Sequence, residues 1–213
     1  MLRVNEIFHS IQGESTHAGR PCVFVRLTGC NLRCVWCDTP QAFHGGTRMP
    51  RHDVLARALS LGTHLVELTG GEPLLQPGVF PLMTDLCDAG RTVLVETSGE
   101  ADVSRVDARV HKVMDLKCPG SGESPRNRWS NLEHIGTRDE IKFVLADRAD
   151  YEWMRATIHE RRLTERTPSL LASTVFGKLA PKELVAWVLE DSLPVRVQLQ
   201  MHKYVWAPDA TGV

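Results

Sequence analysis

The sequence has no excess of either charge: 25 Lys and Arg face 26 Asp and Glu, a formal net charge of −1. Binding to nucleic-acid phosphates needs clustered, uncompensated Lys and Arg, so the composition gives no reason to expect such a partner. Long apolar runs are missing too, and none approaches the roughly 18–20 residues that span a bilayer. The first residues, Met1-Leu2-Arg3-Val4-Asn5-Glu6, turn polar too soon for the apolar stretch of a signal peptide. Neither an internal repeat nor an interdomain linker is visible. What remains is a chain of 213 residues, 42% hydrophobic and 24% charged, long enough to bury a sizeable core as one domain, 1–213. A soluble, cytoplasmic protein without a membrane or nucleic-acid partner is the expectation.

Cysteine is where the chain departs from the ordinary. Of the six cysteines, Cys22, Cys87 and Cys118 stand alone and are expected to act as small buried or half-buried side chains. The other three fall within eight residues, Cys30-Asn31-Leu32-Arg33-Cys34-Val35-Trp36-Cys37. Packed that tightly, and in a reducing compartment, they read as ligands of a metal or a cluster and not as disulfides. A structural zinc would need a fourth ligand, for which His44 or Cys22 is available, giving a zinc-stabilised interaction module. An iron–sulfur cluster on three cysteines leaves one iron open, with Arg33 and nearby helix ends placed to offset its charge. The spacing favours the cluster and leaves zinc open.

Periodicity alternates along the rest of the chain. Strands are predicted over Cys22–Leu27, His64–Leu68, Thr92–Val95, Val110–Leu116, Glu140–Leu145, Ser169–Ala172 and Val195–Leu199. Helical stripes cover Pro50–Leu61 and Val79–Ala89, with a weaker one over Asp102–Ala108. Asp147 is placed to cap a helix carrying Tyr151, Met154 and Ile158 on one face, and Pro181 to start another with Leu184, Val185 and Val188. Residues 118–139 are rich in Pro, Gly, Ser and Asn and have no period; a lid over the site and a plain surface excursion are both open readings. Strand–helix alternation predicts an α/β fold with a parallel sheet, open or curled into a partial barrel.

In such folds ligands sit at the C-terminal ends of the strands. The cysteine loop follows the first predicted strand and Thr69-Gly70-Gly71-Glu72-Pro73 the second. Glu96-Thr97-Ser98-Gly99, Asp115-Leu116-Lys117, Ser173-Thr174 and Gln200-Met201-His202-Lys203 end later ones. Every polar or glycine-rich cluster suited to chemistry is therefore predicted on one edge of the sheet.

The cysteine loop, Cys-x3-Cys-x-aromatic-Cys, resembles the signature of radical S-adenosylmethionine (SAM) enzymes, and Gly70-Gly71-Glu72-Pro73 is similar to that superfamily's SAM-contacting turn. The flanks Phe8-His9-Ser10-Ile11-Gln12-Gly13-Glu14-Ser15 and Cys37-Asp38-Thr39 narrow the likeness. With Glu96–Gly99, Asp115–Gly122 and Gln198–Tyr204, they resemble the 7-carboxy-7-deazaguanine synthase family over nearly the whole chain. Glycyl-radical activases, which act on a partner protein, share the cysteine motif but are not expected to carry these flanks.

The resemblance implies a partial TIM-like βα barrel and a lyase of queuosine and related deazapurine biosynthesis. It would convert 6-carboxy-5,6,7,8-tetrahydropterin to 7-carboxy-7-deazaguanine with loss of ammonia, by way of a 5′-deoxyadenosyl radical. It further implies a [4Fe–4S] cluster on Cys30, Cys34 and Cys37, and Mg²⁺ at Thr39. SAM contacts would fall at Trp36, Asp38, Gly71, Glu72, Ser98, Asp115, Lys117 and Ser173. Substrate contacts would fall at Ile11, Gln12, Gly13, Glu14, Arg26, Thr69 and His202. An electron donor such as flavodoxin or ferredoxin and a homodimer complete the expectation. In some members of that family the terminal carboxylate enters the site; here Trp206–Val213 follows the final histidine.

Overall fold

The computed structural model describes residues 1–213. One nine-stranded sheet organises them. Strand β1 (Leu2–Ile11) pairs antiparallel with β2 (Pro21–Leu27) on one side and with β3 (Thr47–Met49) on the other. From β2 onward the order is β4 (Leu65–Gly70), β5 (Thr92–Thr97), β6 (His111–Asp115), β7 (Glu140–Leu145), β8 (Ser169–Thr174) and β9 (Arg196–Val197), all parallel. The end strands β3 and β9 do not pair with each other, so the curled sheet stays an incomplete barrel, the partial TIM-like βα architecture expected from the sequence.

Parallel strands buried on both faces read as nearly continuous apolar runs, and the alternation within each run decides which face a side chain serves. Val23, Val25, Val66, Leu68, Val93 and Val95 pack outward against helices α1 (Arg51–Ser60) and α2 (Val79–Asp88). In α2, Val79, Leu82, Met83 and Leu86 are fully covered, each burial stabilising by about 1.5–3 kcal/mol. Farther along the sheet, Met114, Ile141, Phe143, Leu145, Leu170 and Ala172 pack against α3 (Arg148–Glu160) and α4 (Pro181–Glu190). The Asp147 carboxylate caps α3 by accepting the Asp150 N–H at 3.0 Å, and Pro181 opens α4. The other set of alternating positions faces inward. Its lower layer, Cys22, Phe24, Leu65, Leu94 and Val113, is a small apolar plug. Above it the inward positions turn charged: Arg26, Glu67, Glu96, Asp115 and Lys142.

Three segments differ from their sequence pattern. The stretch Asp102–Ala108 is not helical, because Asp102 and Asp107 use their carboxylates to take the N–H groups of Ser104 and Arg109, at 2.9 and 3.0 Å. Such local turns compete directly with helix formation. Strand β1 carries no period-2 signal because a bulge between Val4 and Glu6 breaks its alternation. The segment after Cys118 forms three short 3-10 turns and contributes only Cys118 and Ser121 to the cavity wall. It is pinned: Asn127 bonds both main-chain groups of Lys117, and Ser121 O accepts the Val35 N–H at 3.0 Å. These contacts buttress Lys117 and the cysteine loop.

Candidate active site

The strand ends meet as their positions predict. The loop after β2 carries the three cysteines, and the turn after β4 is fastened to it. Gly71 N–H donates to Leu27 O at 3.2 Å and Glu72 N–H to Gly29 O at 2.8 Å. A Cβ on Gly71 would stand 2.3 Å from Gly29 O and 2.7 Å from the Cys30 Cβ, so only glycine allows the two loops to touch. Glu72 locks the turn sideways onto β5. Its buried carboxylate accepts from Leu74 N–H (3.0 Å), Ser98 N–H (2.7 Å), Ser98 Oγ (2.6 Å) and Thr97 Oγ1 (2.9 Å). It is off the cavity wall, whereas Gly71 and Ser98 are on it.

Cys30, Cys34 and Cys37 all line one cavity, half-buried and free of disulfides. Burial pushes the Cys30 and Cys34 thiols up, offset only in part by the Leu32 N–H at Cys30 and by the Lys117 ammonium at Cys34. Lys117 donates to Asp115 Oδ2 at 2.6 Å, and the other carboxylate oxygen, buried, has no hydrogen-bond partner. Arg33 sits beside the cysteine loop but does not line the cavity. Its guanidinium turns to Cys30 O and Leu32 O and stacks on Phe43 at 4.3 Å, off the cavity wall. Trp36, Asp38 and Thr39 line the cavity, with Asp38 Oδ2 accepting from Gln200 and Lys203 at 3.1 and 3.2 Å. Ser173 ends β8 buried behind the wall, its hydroxyl without a partner.

The zinc module does not assemble. His44 is exposed and off the cavity wall, and Cys22 lies in the apolar plug. No three or more His, Cys, Asp or Glu side chains are gathered closely enough to hold a single ion.

The rest of the wall is built from β1, β2, β4 and the chain's last residues, which meet the cysteine loop where Gln200 and Lys203 bond Asp38. Ile11, Gln12, Gly13, Glu14, Arg26, Thr69 and His202 all reach the cavity. Arg26 Nε is held by Glu6 at 2.7 Å, and its guanidinium lies 5.9 Å from the Phe8 ring centre. Gly13 backs onto His202: Gly13 O accepts the Met201 N–H at 2.9 Å, and a Cβ at Gly13 would stand 2.4 Å from His202 Nδ1. Pro208 and Ala210–Val213 close the same side.

The same cavity is lined by a charged group that sequence reasoning missed. Lys142, on β7, reaches Glu96, Glu14 Oε2 (3.4 Å) and Asp115 Oδ1 (3.6 Å). Burial alone would drive its ammonium down, but Asp115, Glu14 and Glu96 together hold it well above the ordinary lysine range. Burial pushes the Glu14 carboxyl up to about 7 despite Lys142. Glu67, in β4, accepts from the Gln12 amide, and burial pushes its carboxyl well up. The available signal was a charged residue inside an apolar parallel strand: Glu67 in Leu-Val-Glu-Leu-Thr-Gly and Lys142 in Glu-Ile-Lys-Phe-Val-Leu.

The donor set suits an iron–sulfur cluster with SAM. Three free thiols share a wall with a glycine turn that admits close approach, and buried Asp115 Oδ1 and Ser173 Oγ have no hydrogen-bond partner. A partial βα barrel with this loop after its first parallel strand defines a radical SAM enzyme, and the Radical SAM superfamily model matches residues 24–117. Over its whole length the chain is 45% identical to the 7-carboxy-7-deazaguanine synthase of Koribacter versatilis, all of which is covered. It is 47% identical to that of Chlorobaculum tepidum, with 100% of this chain and 97% of the relative covered. The chain belongs to the 7-carboxy-7-deazaguanine synthase family. The crystal structure of QueE from Escherichia coli shares the fold, with a TM-score of 0.75 at 22% identity over 92% of this chain and 93% of that one. The enzyme is accordingly a radical SAM lyase of queuosine biosynthesis that uses a [4Fe–4S] cluster and SAM.

Proposed function

We propose that the cavity binds 6-carboxy-5,6,7,8-tetrahydropterin between the three thiols and the β1–β2 wall, where the chain makes 7-carboxy-7-deazaguanine with loss of ammonia. The supporting observation is that Cys30, Cys34 and Cys37 share one cavity with Arg26, Glu14, Thr69 and His202. Cys30, Cys34 and Cys37 hold the cluster, which when bound supplies the one-electron cleavage of SAM that starts radical chemistry on the substrate. Gly71, Ser98, Asp115 and Lys117 hold SAM, with Trp36 and Asp38 beside them and Ser173 behind the wall. Glu72 acts on SAM only through Gly71 and Ser98.

Arg26 faces the substrate carboxylate. With its Nε fixed by Glu6, the terminal nitrogens keep the fork that matches a carboxylate. Glu14, Thr69 and His202 take the donor and acceptor groups of the heterocycle. Thr39 offers the hydroxyl of a Mg²⁺ site completed by waters and the substrate carboxylate, the oxygen ligands that a hard cation prefers. The charged cluster under the substrate excludes bulk water and fixes these groups before binding. One domain of 213 residues carries the reaction, as a homodimer in the cytoplasm fed by flavodoxin or ferredoxin.

The test incubates anaerobically reconstituted, reduced protein with SAM, Mg²⁺ and the carboxypterin. The deazapurine should appear by mass, and omitting Mg²⁺ should slow it. SAM cleavage without that product would overturn the substrate assignment.

A further inference from the structure

Glu67 is hard to explain by packing. It occupies the middle of β4, paired across the ladder with Phe24 and Leu94, and is only 2% exposed. No Lys, Arg or His forms a salt bridge with it, so an aliphatic side chain would serve the strand better. Its carboxyl has one side-chain partner, the Nε2 of Gln12, which lies 55 residues away in sequence. The other end of the same amide is also used, because Gln12 Oε1 accepts the main-chain N–H of Glu14 at 2.8 Å. Both ends of Gln12 are thus fixed, leaving one N–H and one lone pair on the amide for anything else. Gln12 is therefore not the main reader of a substrate edge. Glu14 is better placed: its Oε2 faces Lys142 at 3.4 Å, while its Oε1 is buried on the cavity wall without a partner.

We propose that Glu67 is a positioning residue for substrate recognition: its carboxyl holds the Gln12 amide, the amide holds the main chain at Glu14, and the free Glu14 Oε1 is thereby aimed at the N–H edge of the bound heterocycle. The ligand edge is donor-rich, as in a 2-amino-4-oxopyrimidine, and its recognition rests on the pterin reading given above. The neighbouring backbone supports a braced loop. Ser15 is held at φ 66°, a conformation that few non-glycine residues adopt, and Gly13 is wedged against His202. Glu67 anchors this loop to the sheet through Gln12, beside Lys142, which meets Glu14 Oε2, and Glu140, which accepts the Thr16 N–H at 3.1 Å.

The experiment compares holoenzymes of the wild type, Glu67→Leu, Glu67→Gln and Gln12→Leu. For each it measures kcat and KM for the carboxypterin, KM for SAM, iron content, and calorimetric Kd for the 7-carboxy-7-deazaguanine product. Removing the buried bond in Glu67→Leu should raise the pterin KM and the product Kd about tenfold, with kcat, SAM KM and iron unchanged. Glu67→Gln should restore most of that affinity, since its amide oxygen accepts the same N–H. Gln12→Leu should reproduce the Glu67→Leu loss, and it carries the test if Glu67→Leu does not fold. A wild-type pterin KM in Glu67→Leu or Gln12→Leu, or equal losses in Glu67→Gln and Glu67→Leu, overturns the proposal. A wild-type enzyme that cleaves SAM but leaves the pterin unchanged overturns the underlying reading instead.

Discussion

At the scale of single residues, the site is defined by carboxyl groups kept away from water. Glu14 shows what this does. A carboxylate accepts hydrogen bonds, whereas its protonated form spends one oxygen as a donor. With its carboxyl pushed up to about 7 by burial, Glu14 changes form within the working range of an enzyme assay. The pterin KM should fall as pH rises from about 6 to 8, and Glu14→Gln should flatten that limb in steady-state kinetics. Stability should move the opposite way. The folded chain holds this proton more tightly than the unfolded chain, whose value is near 4.5, so Glu14's contribution falls between there and about 7.

At the scale of elements, the design is a pair of loops that must touch. The β4 turn presses on the cysteine loop through Gly71, and Glu72 ties the turn to β5 with hydrogen bonds from Leu74, Thr97 and Ser98. Gly71→Ala should push the turn off the cysteine loop, because its methyl would meet Gly29 O at 2.3 Å. Iron per chain after reconstitution should drop and SAM cleavage be lost, while circular dichroism stays close to the wild type. Much of this half was legible in the sequence, since cysteine spacing and a Gly-Gly-Glu-Pro turn are local patterns. The role of Glu72 was not, because its partners lie 25 and 26 residues on and only the parallel pairing of β4 with β5 brings them near. Lys142 and Glu67 were harder still. A charge in an apolar strand tells little until the curl of the sheet turns inward positions from several strands toward a common centre. Strand β1 was hidden for another reason, the bulge that breaks its alternation.

At the scale of the whole molecule, parts of the cavity wall have different sources. The cluster side comes from the loops after β2, β4, β5 and β6, within the residues matched by the superfamily model. Another part of the wall joins residues 11–14 to residues 200–213. Removing residues 208–213 should therefore raise the pterin KM by about tenfold, as expected when part of the cavity wall is taken away. Iron content and the SAM KM should stay unchanged, and parallel titrations of the two substrates check both. Equal damage to both substrates would mean that the tail supports the barrel as a whole.

The contact between Gly13 and His202 also bears on how the enzyme is made. A ribosome releases the chain from its N-terminus, so residues 24–117 are available to fold long before His202 emerges. The cysteine loop and its glycine turn can settle against each other early. The loop at Gln12–Glu14 waits for Met201 and His202, which reach it only when nearly all of the sequence has been synthesised. The cavity wall at Gln12–Glu14 is thus completed last, long after the cysteine loop has been made.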